Sequence, residues 1–146
     1  MSDLINGKPP TSFWVIAIVA LMWNIIGVML YYMQVSASPE QLQAAYGDAG
    51  AGFIESIPTW ATSAHAIAVT AGVLGCVLLL VRKAWAVPLF IISLAGIVVQ
   101  DIYSFVLAGG AGIFGTPAIV IAVVVLLVAI GLVFYARSAK DKHWIE

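Results

Sequence analysis

Leu78-Leu79-Leu80-Val81-Arg82-Lys83-Ala84-Trp85-Ala86-Val87-Pro88 is the stretch that decides the architecture of this chain. One apolar run ends there on two basic residues, and the next begins within a few positions. A link so short allows only antiparallel neighbours, so 58–81 and 87–107 read as a helical hairpin. A hydrocarbon core of about 30 Å, crossed at about 1.5 Å per residue, needs about 20 apolar residues, and both runs supply them. Two further runs of this kind lie outward from the hairpin, at 13–33 and 118–135. The 146 residues are 63% apolar and 9% charged, with a mean hydropathy of +1.09, too little polar surface to face water. Lipid is the solvent such a composition requires. The chain therefore reads as one all-α membrane domain, a bundle of four transmembrane helices with no room for a separate soluble domain.

Charge sets the expected orientation. Lys8, Arg82, Lys83, Arg137, Lys140 and Lys142 are all the basic residues, and this helix order brings them to one side. The positive-inside rule assigns that side, with both termini and the tail 137–146, to the cytoplasm. The loop 34–57 carries Glu40, Asp48 and Glu55 without a Lys or Arg and is expected outside. The net charge of −1 is a near-cancellation of these segregated sets, and no basic surface for nucleic acid is present. A single cysteine, Cys76 in an apolar run, excludes an internal disulfide and a Cys-based zinc site. The first apolar run lacks a small-x-small cleavage site and reads as a retained helix.

The helix ends have their own signals. Trp14, Tyr31, Tyr32, Trp60, Trp85 and Trp144 stand near span ends, where amphipathic rings favour the headgroup level. Pro9-Pro10 delays the first helix. In Ser38-Pro39-Glu40-Gln41 a hydroxyl at N-cap, a proline at N1 and a glutamine at N3 predict a short extra helix in the external loop, ending near Gly47. Residues 47–52 read as flexible, and Phe53, Ile54 and Ile57 as an apolar edge in the interface. Ala108 to Pro117, rich in glycine, reads as a tight turn into the last span. In the second span Ala64, Ala68, Gly72 and Cys76 recur every fourth position, as do Ala71 and Gly75, which predicts close helix packing.

Ser38-Pro39-Glu40-Gln41-Leu42, Ile57-Pro58-Thr59-Trp60 and the hairpin stretch 78–88 resemble a family of small four-helix bacterial membrane proteins. Its members often carry an automatic sugar-transporter label. The resemblance implies a four-helix inner-membrane architecture and a bacterial origin, and it brings no binding residues with it.

Few residues can carry chemistry. Asp101 lies about 14 residues into the third span, about 21 Å from its start, where an ionised carboxyl costs a few kcal/mol unless it has water, a partner or a proton. Seven residues into the second span, His65 has a similar depth and is the natural partner. Such a pair could move protons or bind a cation; equally, it could be one buried hydrogen bond that fixes the hairpin. Asn24, Gln100 and Tyr103 add polar atoms that could line an external vestibule, although adjacent Gln100 and Asp101 diverge by about 100° and would not share a narrow cavity. Asn24 also reads as glue between helices.

No haem-ligand pair, phosphate loop or Ser-His-Asp arrangement is evident, so no catalytic residue, metal or cofactor is assigned. Two readings remain. The first is a non-catalytic accessory or self-assembling component that packs in lipid as a homo-oligomer or within a larger membrane-protein assembly. The second is a small oligomeric solute or proton-coupled transporter that uses Asp101 and His65.

Overall fold

The structure, a computed structural model, describes residues 7–146. Five α-helices follow in order: α1 Thr11–Ser36, α2 Pro39–Glu55, α3 Thr59–Leu80, α4 Ala86–Asp101 and α5 Gly110–Asp141. A π-helical segment, Ile102–Leu107, continues α4 without a break. The helices α1, α3, α5 and the combined Ala86–Leu107 are long and apolar enough to cross a membrane, so the chain is a multi-pass membrane protein. Their outer faces expose Met33, Val106, Leu127 and Phe134, each at least 60% accessible. Contiguous apolar surface on that scale belongs in lipid.

The long helices form a row in which α1 packs on α3, α3 on α4, and α4 on α5, with no comparable contact between α1 and α5. Small residues set how close α3 and α4 come. A Cβ at Gly96 would lie 2.7 Å from the Ala64 carbonyl oxygen, and one at Gly75 would lie 2.8 Å from the Phe90 ring. Ser93 Oγ donates to the Ala68 carbonyl at 2.7 Å. At Gly72, between α1 and α4, Asn24 Oδ1 fills the space a Cβ would need, with Ser93 Oγ 3.3 Å from it. The stripe of Ala64, Ala68, Gly72 and Gly75 is thus filled from within the chain.

The hairpin turn brings the basic ends together. Arg82 adopts φ 60, and the Lys83 N–H closes the turn on the Leu78 carbonyl at 2.8 Å. The residues after α5 fold back onto this turn. Glu146 N–H donates to the Arg82 carbonyl, and Ala84 N–H to the Glu146 carbonyl, at 2.9 and 2.8 Å. Arg82 Nε and Nη2 donate to the carbonyls of Trp144 and Gly7, both at 2.7 Å. Behind them Phe13, Leu79, Phe90, Trp144 and Ile145 are buried in one apolar cluster, which closes the basic end of the bundle.

Four expectations about the ends need correction. The helix that starts at Ser38 does break at Gly47, whose φ of 70 only glycine adopts without strain, but it resumes and runs to Glu55. It resumes because Gly50 packs under the Tyr46 and Phe114 rings and Phe53 packs on Phe114, so the chain after Gly47 is helical, with Gly50 and Ala51 buried, and not a loose connection. The glycine-rich link is also shorter than expected. Helix α5 begins at Gly110, and the break falls inside it, at Gly115 (φ 76) before Pro117. At the other end α5 continues to Asp141, so the first half of the expected tail is helical. Trp144 is 7% accessible and packed edge-on to Phe13, because the folded-back tail carries it into the bundle and leaves little of its ring on the surface.

Candidate functional site

Because α1 and α5 touch only at the basic end, where the Phe13 and Tyr135 rings stack 6.4 Å apart, the row of helices leaves a cavity of about 580 Å³. All four long helices wall it, and along α5 it runs from Gly110 to Leu132, about 30 Å at helical rise. The apolar cluster at the basic end is its floor. Its roof is α2, held by the Tyr46, Phe53 and Phe114 rings, which meet edge to face with centroids 6.1 and 5.3 Å apart. The capping box starts that roof helix: Gln41 N–H donates to Ser38 Oγ at 3.3 Å, and Ser38 N–H to Gln41 Oε1 at 2.9 Å. The same geometry holds the exposed Glu40 carboxyl below the usual range, through its own backbone N–H and the Ser38 hydroxyl.

Apolar side chains dominate the walls, and the polar atoms gather in the half under α2. Asp101 and His65 both face the cavity there, half-buried, and no hydrogen bond or ion pair joins them. The matched depth read from the sequence brings them to one chamber without bringing them into contact. His65 is instead packed edge-on against Tyr31, centroids 5.0 Å apart. Gln100 lines the same chamber as Asp101, which corrects the expectation that two adjacent residues could not share it. Their directions do diverge, but the space is wide enough to receive both.

Asn24 lines the cavity midway along α1 and bridges two helices, donating from Nδ2 to the Ala20 carbonyl at 2.8 Å and to Cys76 Sγ at 3.4 Å. Tyr103 is not among the lining residues; its ring stands edge-on to Trp60 at 5.3 Å, on the outer side of the α3–α4 hairpin. Of the other expected anchors, Tyr32, Trp60 and Trp85 are more than half accessible and Trp14 about a third, whereas Tyr31 is turned inward to His65. Ser93, Ser104, Gln34 and Tyr46 also reach the cavity and were not expected there. Ser93 carried a signal, being a hydroxyl three residues from Phe90 on the face that meets the small stripe of α3. No group of three or more His, Cys, Asp or Glu that could hold a metal occurs among the described residues.

A second cavity, about 300 Å³, lies between the π-helical segment and α5. Asp101, Phe105 and Ala122 line both spaces, so Asp101 stands in the partition between them. Ile102, Val106, Ile119 and Val123 flank the second space and are exposed on the apolar outer surface. A π-helical segment is an uncommon departure from the α-helix, frequent at functional sites, and here it follows Asp101 immediately.

Comparison of the chain with known protein families, with curated proteins and with solved structures finds no match.

Proposed function

We propose that this chain is a non-catalytic membrane protein that holds a small molecule in its intramembrane cavity, as a carrier of the solute-transporter type. The observation that carries this reading is the cavity itself. Its volume is that of a small-molecule site, its lining is mostly apolar, and a few polar groups, Asp101, His65 and Gln100, gather in the half under α2, with Asn24 midway along. The resemblance to small four-helix bacterial membrane proteins points the same way, and supports a bacterial inner-membrane location. The positive-inside rule supports a cytoplasmic basic end and an external α2. A sugar is poorly served by these walls, because each hydroxyl left without a partner costs about 1–3 kcal/mol.

The accessory reading keeps less support. Of the packing features that support it, the small-residue stripe of α3 is occupied by Gly96, Phe90, Ser93 and Asn24 of the same chain. Exposed outer faces on α1 and α5 suit a protein partner and lipid equally.

The test is native mass spectrometry of protein extracted gently from its own membrane, compared with Ala118→Phe, which puts a ring into the cavity alone. A retained small molecule in the wild type that is lost in a variant of unchanged thermal stability supports the proposal. Identical spectra, without any such molecule, overturn it. Recovery in a defined complex with larger subunits, the cavity empty, favours the accessory reading.

A further inference from the structure

We propose that the cavity selects a lipophilic cation, with Asp101 as its counter-charge, and that the molecule reaches Asp101 from the bilayer along the seam between the π-helical segment and α5. This rests on the small-molecule reading above and names the class of molecule.

Charge complementarity is the first argument. Asp101 is the one carboxyl in the lining, and no Lys or Arg lines the cavity: all six basic residues belong to the opposite end, beyond the floor of Phe13, Leu79 and Phe90. The other titratable groups at the walls are His65, on α3, and Tyr46, on α2. An anion entering this chamber would meet a carboxyl with no fixed positive charge beside it, whereas a cation would replace the partner that Asp101 lacks within the chain.

The remaining surface fits the rest of such a molecule. Trp23, Tyr46, Phe53, Phe90, Phe105 and Phe114 line the cavity and present aromatic surface, which attracts cations as well as apolar groups. Access is the third argument. Since Asp101, Phe105 and Ala122 form the partition with the outer space, a molecule dissolved in lipid meets the carboxyl without crossing the α2 roof. Phe105 is then the side chain that must move to let it pass.

Two tetrahedral ions of nearly the same shape and opposite charge separate this from non-specific apolar binding. Tetraphenylphosphonium and tetraphenylborate are titrated into purified protein in detergent at pH 8, where an imidazole is ordinarily neutral, with wild type, Asp101→Asn and Ala118→Phe in parallel. The expected result is saturable one-to-one binding of the phosphonium, at least tenfold weaker in Asp101→Asn, reduced in Ala118→Phe, and absent for the borate. Equal binding of both ions, or stronger binding of the borate, overturns the charge assignment; this comparison needs only the wild type, so it holds even if Asp101→Asn fails to fold. If neither ion binds while the native cargo is still lost in Ala118→Phe, the cation inference fails and the small-molecule reading stands.

Discussion

The ring of Tyr31 stands edge-on to the imidazole of His65, centroids 5.0 Å apart and planes at 72°, and so joins α1 to α3 at the polar half of the cavity. An aromatic pair of this geometry contributes about 0.5–1.5 kcal/mol beyond its buried area. His65→Phe keeps the ring and is expected to leave thermal stability in detergent nearly unchanged. His65→Ala is expected to lower it by about 1–3 kcal/mol as the edge contact and packing are lost. Equal effects of the two substitutions would mean that the imidazole nitrogens, and not the ring, hold the contact.

Gly96 is the tightest point of the α3–α4 hairpin. Its added Cβ would meet the Ala64 carbonyl and lie 2.9 Å from Ala68 Cβ, neither of which can move without shifting a helix. Gly96→Ala should therefore destabilise the fold by about 1–3 kcal/mol, as overpacking does. Gly131→Ala, with nothing within 4 Å of the new methyl, should change it by less than about 0.5 kcal/mol. Steric-trapping or thermal unfolding of the two variants side by side checks the contrast.

Arg82 ties together three segments that are distant in sequence, through the carbonyls of Trp144 and Gly7 and its own backbone pairing with Glu146. Hydrogen bonds from a charged donor are worth about 1.5–3 kcal/mol each. Arg82→Ala is expected to raise hydrogen exchange at the amides of Trp144 and Glu146 by tenfold or more, while α1 and α4 remain protected near mid-span. Unchanged exchange would show that the apolar burial of Trp144 and Ile145 holds the tail without the guanidinium.

Glu40 makes the start of α2 acid-sensitive. Its folded pKa lies below the ordinary carboxylate value, so its contribution is fully present at neutral pH and is lost as the pH falls through the folded value. Amide exchange at Leu42 to Tyr46, corrected for its intrinsic pH dependence, should accelerate over that range in the wild type and show no such step in Glu40→Gln.

Orientation is checked by labelling. A cysteine at Asp48 should react with a membrane-impermeant maleimide added to intact cells, and one at Lys140 should react only after the membrane is opened. Native Cys76 is fully buried and leaves the background low. The reverse pattern would invert the proposed topology and move the roofed end of the cavity to the cytoplasm.

Features encoded by neighbouring residues were legible in the sequence. Length and apolarity revealed the four long helices, and Ser38 with Gln41 makes the start of α2 from its own side chains. The hairpin followed from the shortness of the link after Arg82-Lys83. What depends on distant packing was not legible. Gly47 looks like a stop, and nothing local says that Gly50 and Phe53 will find Phe114. The cavity exists because α1 and α5 part above the stacked rings of Phe13 and Tyr135, and an apolar face reads the same whether it touches a neighbour or an empty space. Arg82 looked like one more charge on the basic side, although its guanidinium is spent on backbone carbonyls. Depth counting brought Asp101 and His65 to the same level but could not say that His65 would turn to Tyr31.

The π-helical segment Ile102–Leu107 has a consequence for how this chain can change length. A wide turn holds one residue more than an α-helical turn, so removing a single residue there returns the helix to ordinary geometry. Elsewhere in a span the same deletion would rotate everything beyond it by about 100° and turn lipid-facing side chains inward. The segment after Asp101 is thus a slack loop of thread in an otherwise taut helix, the place where a one-residue deletion is absorbed while both ends of the helix keep their seats.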